Sequence, residues 1–250
     1  MILTRHGSKR RIAENIFKYF PSHDIYCEPF FGAGGMFFSK LKVNYNIMND
    51  LDNDVFNLFI VIKEQAHELE NALASMPIHE TLFRHWKKLK LENSAVFQAV
   101  RFLFLSNFSY LGKQDTFLAD PIRNTKKNIL SRIYDVQKLI SDVKFINSDF
   151  KEFFRKFSIG DNLYNRLFIY ADPPYVGTSS TYKKFNINDT EDLFKILLAT
   201  KCKFAVSEFD NSEIISLVKK YQLNLISIGE RVNLKNRRLE FLVTNYRCYN

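Results

Sequence analysis

Cysteine is scarce in this 250-residue chain: Cys27, Cys202 and Cys248 are three in all, far apart and without a C-x-x-C pair. That count leaves neither a disulfide frame nor a cysteine-built zinc site, and it fits a reducing compartment. Tryptophan occurs once, proline six times and glycine eight times, so any cluster of glycine or proline marks a special backbone position. No apolar run approaches the ~18 residues that suggest a membrane helix. The opening MILTRHGSKRR has basic residues but no apolar stretch behind them, so a secretory signal is not expected. Internal repeats and low-complexity tracts are missing too. These absences predict a soluble, cytoplasmic protein.

Hydrophobic residues make up 46% of the chain, enough for a full core, and the formal charge is +9. A basic balance of this size favours a polyanionic partner, with nucleic acid ahead of an acidic membrane surface. Basic pairs recur at Arg10-Arg11, Lys126-Lys127, Lys183-Lys184, Lys219-Lys220 and Arg237-Arg238. The five histidines show no ligand spacing, and no metal is expected.

Short apolar runs rich in β-branched and aromatic residues predict strands at Ile25–Cys27, Tyr45–Met48, Val143–Ile146, Leu167–Ala171, Lys203–Val206, Leu223–Ile228 and Phe241–Thr244. Helical patterns lie between most of them, at Arg10–Phe20, Gly35–Leu41, Glu191–Leu198 and Ser212–Tyr221. Such alternation means an α/β fold with a mostly parallel sheet. The last two strands are joined by Gly229–Glu240 without a helix, so an antiparallel edge pairing is expected. From Val55 to Asp142 the alternation stops and helices are expected at Val55–Ala74, Glu80–Leu91, Ser94–Phe108 and Ile129–Ser141, with a polar loop at 109–128. The chain therefore divides into a core of residues 1–54 and 143–250 and a helical insertion, 55–142.

Three stretches carry chemistry. "YCEPFFGAGGMFF", residues 26–38, is a strand followed by a Gly-x-Gly turn at Gly32 and Gly34, which lets a ligand approach the backbone closely. The full G-x-G-x-x-G of a dinucleotide site is absent. Asp50 closes the next strand, where a carboxylate can hold ribose hydroxyls or simply cap a helix. "DPPY", Asp172 to Tyr175, ends a buried strand with two residues that have no N–H and a fixed φ. It offers a carboxylate, carbonyls without competing donors and an aromatic face, the groups that can grip a planar exocyclic amine.

In this order the motifs resemble the alpha group of DNA adenine-N6 methyltransferases, the Dam-type enzymes, over nearly the whole chain. "TRHGSKRRIAENIFKYFP" is similar to that family's opening motif, "NIMNDLDNDVFNLF" to its acidic strand end, "VKFINSDFKEFF" to the segment before the catalytic strand and "NRRLEFLVTNY" to the closing hairpin. The resemblance implies a Rossmann-like, S-adenosylmethionine-dependent methyltransferase fold with a helical target-recognition insertion. It implies that Lys9 contacts cofactor or target, and that Phe30, Gly32 and Gly34 line the methionine part of S-adenosylmethionine. Arg5 stands where the family carries an aromatic residue. Asp50 would bind the ribose, and Asp149 with Phe150 would flank the adenine of the cofactor. Asp172, Pro173, Pro174 and Tyr175 would form the catalytic loop, with Asp172 also beside the cofactor and Tyr175 stacking on a flipped-out adenine. Candidate contacts to double-stranded DNA are Asn107, Tyr110, Arg123, Asn124, Lys126, Lys127, Lys183 and Lys184. A restriction endonuclease acting on the same site is a further expected partner. Other acceptors (RNA adenine or cytosine N4) and an inactive DNA-binding relative remain alternatives.

Overall fold

The computed structural model describes residues 2–5, 7–89, 94–119, 124–157, 163–175, 185–233 and 236–247, with backbone only for 231–233 and 236–237. Seven strands form one sheet: β1 (Ile25–Glu28), β2 (Tyr45–Asp50), β3 (Lys144–Asn147), β4 (Leu167–Ala171), β5 (Lys203–Phe209), β6 (Asn224–Asn233) and β7 (Asn236–Thr244). Their spatial order is β3-β2-β1-β4-β5-β7-β6. The five strands from β3 to β5 pair in parallel, whereas β7 runs antiparallel to both β5 and β6. The reversed strand is thus one in from the edge. Strand pairing also extends further than the hydrophobic pattern indicates. Glu230 opposes Leu239 and Arg231 opposes Arg238, so most of Gly229–Glu240 is hairpin ladder rather than connection.

Period-two alternation divides the strands between two cores. Tyr26, Met48, Phe168, Tyr170, Ala205 and Leu242 face one side, and Cys27, Ile169, Ala171, Phe204, Val206 and Val243 the other. The first face is covered by α1 (Ala13–Phe17), α2 (Asn53–Glu64), α3 (Ala66–Ser75), α4 (Glu80–Lys88), α5 (Ala95–Asn107), α6 (Thr125–Leu130) and α7 (Ile133–Ile140). The second is covered by α8 (Phe150–Lys156), α9 (Ile187–Ala199) and α10 (Ser212–Lys220). The helical segment 55–142 begins in the core of the sheet: Phe59 of α2 stacks on Phe145 of β3 with centroids 5.5 Å apart.

Several helix expectations need correcting. Ile129–Ser141 is interrupted by a turn at residues 131–132 between α6 and α7, and Arg10–Phe20 is α-helical only over α1, with a 3₁₀ turn at Lys9–Ile12 before it. Val55–Ala74 is not one helix, because the backbone leaves helical geometry at Gln65 (φ −135°, ψ 41°) and restarts as α3. Gly35–Leu41 forms turns instead of a helix. Ser8 and Lys9 pack directly on this stretch, leaving a Cβ on Gly35 only 2.8 Å from Ser8 Oγ and 3.1 Å from Lys9 N. The turns follow from that close approach, and they bring the N-terminal segment to the end of β1.

Candidate active site

The sheet order reverses between β1 and β4: the chain moves outward from β1 through β2 to β3, then returns to β4 on the other side and continues to β5. In open parallel sheets ligands bind beyond the carboxyl ends of the strands at this switch point. Phe30 to Gly34 follow β1 there, and Asp172 to Tyr175 follow β4. Asp50 ends β2 next door.

Glycine geometry shapes the first loop. Gly32 (φ 54°) and Gly34 (φ 70°) adopt the left-handed conformation that other residues enter only at a cost. A Cβ on Gly34 would stand 2.6 Å from Phe38 and 2.7 Å from Phe31, whereas one on Gly32 would meet nothing within 4 Å. Gly34 therefore serves packing, and Gly32 faces open space. The Gly32 N–H donates to Asp50 Oδ2 at 2.6 Å, and the Asp52 N–H donates to Asp50 Oδ1 at 2.8 Å.

Asp50 is 6% exposed. Burial pushes its carboxyl above the ordinary range, while the Arg5 charge and the Asp52 and Gly32 N–H groups pull it back. Each carboxylate oxygen of Asp50 thus accepts from a backbone N–H. Arg5 donates to Asp52 Oδ2 at 2.8 Å, which sets its guanidinium beside this acidic strand end. Asn49 donates to the Pro29 and Ser148 carbonyls, and Asn147 to those of Asp50 and Leu51. These side chains lock three loop starts together.

Phe30 and Phe150 meet at 5.6 Å, and Phe185 lies 6.0 Å from each. Asp149 is exposed and caps α8, accepting from the Lys151 N–H at 2.9 Å. One of its oxygens is thereby committed to the helix.

At the end of β4, Lys9 is 3% exposed and donates to Asp172 Oδ1 at 2.6 Å. Its ammonium also lies 4.5 Å from the ring centroid of Tyr175 and 3.5 Å from Glu240 Oε1. The Tyr175 hydroxyl donates to Glu240 at 2.5 Å, and its ring meets Phe209 nearly at right angles with centroids 4.3 Å apart. Burial raises the Tyr175 phenol well above its ordinary range, helped by the charges of Asp172 and Glu240, so it stays a donor. Tyr175 is only 9% exposed, and Lys9 occupies one face of its ring. An open stacking platform, as the sequence suggests, is not what this arrangement presents. Pro173 is buried and Pro174 half-buried.

Sequence reasoning missed two acids here. Glu240 betrays itself only as an acid in the apolar run "LEFLVT". Glu28 is buried at the end of β1, accepts from the Tyr26 hydroxyl at 2.8 Å, and is pushed up to about 8, chiefly by burial. Lys40, beside it, is pushed down to about 8 by its own burial.

The DNA candidates divide. Asn107 is occupied within the fold, accepting from Thr4 and donating to the Ile2 and Leu103 carbonyls. Lys126 closes the end of α3 through bonds of 2.6 Å to the Ala74 and Met76 carbonyls. Both have local structural partners. Tyr110 is 48% exposed, and Asn124 (φ 43°) and Lys127 are exposed around the start of α6. Arg123, Lys183 and Lys184 lie outside the described residues, as does Cys248. Among the described residues no group of acids, histidines and cysteines could hold a metal ion, and no helix is long and apolar enough to cross a membrane.

Comparison with known proteins gives a consistent result. The family model of the D12 class N6 adenine-specific DNA methyltransferases matches residues 6–237. Type II methyltransferase M1.LlaDCHI of Lactococcus lactis subsp. cremoris is 22% identical over 272 residues, covering 96% of this chain and 93% of that protein. DNA adenine methylase of Vibrio cholerae serotype O1 (strain O395) is 22% identical over 250 residues, covering 91% and 87%. DNA adenine methylase of Escherichia coli K12 is 25% identical over a shorter stretch of 111 residues, 42% of this chain and 40% of that one.

Proposed function

The chain belongs to the D12 class of N6 adenine-specific DNA methyltransferases, and on that premise we propose how its residues divide the work. Its methyl donor is S-adenosylmethionine, whose sulfonium supplies an activated methyl group. The residues at the switch point fit such a molecule. Asp50 sets a carboxylate at the end of β2 where ribose hydroxyls can donate to it, Gly32 leaves room where any other residue would project a Cβ, and Phe30 with Phe150 offers aromatic surface for a purine. Arg5 steadies Asp52 and lowers the cost of the Asp50 charge. Asp149 contributes its remaining oxygen.

The acceptor is the exocyclic amine of adenine in double-stranded DNA. That amine is paired inside the duplex, so the base must leave the stack, at a cost of a few kcal/mol. Its nitrogen lone pair is delocalised into the ring and is a weak nucleophile. Asp172 and the Pro173 carbonyl accept its two N–H bonds, favouring a more tetrahedral nitrogen and stabilising the positive charge that develops on it. Pro173 and Pro174 hold those acceptors rigid and add no competing donors. Tyr175, tethered through its hydroxyl, forms a fixed wall of the base site. No covalent intermediate is called for: Cys27 is buried and its thiol is raised well above the ordinary range by burial.

Recognition of the target sequence is assigned to the helical segment 55–142, with Tyr110, Asn124 and Lys127 as its exposed candidates and Arg123, Lys183 and Lys184 as further contacts. A cognate endonuclease cutting the same sequence is part of this proposal, as the type II naming of the Lactococcus lactis relative suggests. It would act with this protein on DNA in the cytoplasm.

The observation that carries the reading is the convergence of Asp50, Gly32 and Asp172 at one edge of the sheet. Long-read sequencing of DNA from a methylation-free host expressing the protein is expected to find 6-methyladenine in a fixed sequence context. The Asp172→Ala protein is expected to leave no such mark. Methylation by that variant at near wild-type rates removes the proposed role of Asp172.

A further inference from the structure

Lys9 faces two carboxylates. Its ammonium donates to Asp172 at 2.6 Å and stands 3.5 Å from Glu240. Glu240 is 1% exposed on β7, opposite Phe209 of β5, and its Oε1 is also the atom that accepts from Tyr175. It lies 65 positions from Tyr175 in sequence and in none of the loops that follow the parallel strands.

The Lys9 contact matters because it occupies Asp172 Oδ1, one of the two oxygens that can receive an incoming amine. An ammonium this buried cannot leave a carboxylate without another counter-charge, since an unpaired charge away from water is strongly unfavourable. Glu240 is already within reach, with Oε1 3.5 Å from the ammonium.

We propose that Glu240 is a positioning residue for methyl transfer: it takes over the Lys9 ammonium as the target amine takes Asp172, while its bond to Tyr175 fixes the last residue of the DPPY loop. This rests on the assignment of Asp172 as the amine acceptor. It explains why an acid interrupts an apolar strand and why two carboxylates share one lysine. It also gives Lys9 a position in both states, held by Asp172 before the base enters and by Glu240 afterwards.

The test is Glu240→Gln, which keeps the length and an acceptor for Tyr175 but removes the charge. Single-turnover methylation is measured at saturating duplex and S-adenosylmethionine, with the KM for DNA, the Kd for S-adenosylmethionine by calorimetry, and the melting temperature alongside. The expected result is a fall in the single-turnover rate of about tenfold or more, with KM and Kd within about twofold of wild type. Glu240→Asp is expected to recover part of the rate, because it keeps the charge. A Gln variant within about twofold of the wild-type rate overturns the proposal. So does a loss carried by the Kd or by the melting temperature, which would mark Glu240 as structural support only. Should the Gln variant not fold, Glu240→Asp carries the test: a severalfold slower rate at unchanged cofactor affinity is expected, and an unchanged rate overturns the proposal. Absence of 6-methyladenine with the wild-type protein, or an active Asp172→Ala variant, would instead remove the underlying functional reading, and neither depends on residue 240.

Discussion

Replacing Gly34 and Gly32 separately by alanine should separate packing from cofactor contact within a single turn. Both sit in the left-handed region, at φ 70° and φ 54°, where an alanine costs roughly 1–2 kcal/mol in backbone strain. Gly34 adds a steric cost. Its new methyl would lie 2.6 Å from Phe38 and 2.7 Å from Phe31, and these rings are themselves packed against Phe37 and Phe59. Overpacking of this kind costs about 1–3 kcal/mol. Gly34→Ala should therefore lose roughly 2–5 kcal/mol in all, a large share of the ~5–15 kcal/mol typical of a folded domain. Gly32→Ala should lose only the backbone part, because its methyl meets nothing within 4 Å. That methyl would occupy the open space beside Asp50, so its principal effect should be on S-adenosylmethionine. Urea unfolding should find Gly34→Ala clearly less stable than Gly32→Ala. Calorimetry on the folded proteins should find that Gly32→Ala loses at least tenfold in affinity, equivalent to about 1.4 kcal/mol. Equal destabilisation by both, or full cofactor affinity in Gly32→Ala, would falsify the division.

Stability should respond to pH through buried Glu28 at the end of β1 and half-buried Lys40 beside it. Glu28 is raised from 4.5 to about 8, so between those values the folded chain holds a proton that the unfolded chain has released. Stability contributed by this group therefore falls as pH rises through that window, by at most ~1.4 kcal/mol per unit. Glu28→Gln should flatten that limb in unfolding curves, and a wild-type-minus-variant difference that stays constant across the window contradicts it. Lys40 works in the opposite sense: lowered from 10.5 to about 8, it makes stability rise with pH over that alkaline interval, and Lys40→Met should remove the rise. The two neighbouring lysines of α6 should also part company. Lys126→Met should cost about 1–2 kcal/mol of stability by freeing two carbonyls and leave DNA affinity nearly unchanged. Lys127→Ala should weaken DNA binding and lower the log–log salt slope by about 1 without loss of stability. A filter-binding salt series in which both variants behave alike refutes this distinction.

The parts legible in the sequence were those with local causes. β4 reads as a strand because its five residues are apolar and all buried, and the prolines after it forbid continuation. The Gly-x-Gly turn is legible because positive φ selects glycine. The expected helix at Gly35–Leu41 failed because its local pattern is overridden by Ser8 and Lys9, whose closeness to Gly35 no window of sequence reveals. The single helix expected over Val55–Ala74 failed at Gln65 for a similar reason. Good helix formers, Lys63, Glu64 and Ala66, continue through the break, so nothing local in the sequence marks it.

Side-chain roles were legible only where a motif carried them. Lys126 and Lys127 are identical in charge and adjacent, yet one is tied to the carbonyls that end α3 and the other is exposed. Net charge identifies a basic protein but does not say which lysines are available to a phosphate. Glu240 makes the converse point. An acid in an apolar strand must find partners or remain an uncompensated buried charge, so the strand itself announced an unseen cation. Which cation depends on the sheet order: only with β7 placed beside β5, and β5 beside β4, does residue 240 reach the lysine that opens the chain and the tyrosine that ends the DPPY loop. The chemistry-bearing residues are scattered from Lys9 to Glu240 because the reversal of strand order, not sequence proximity, brings them to one edge.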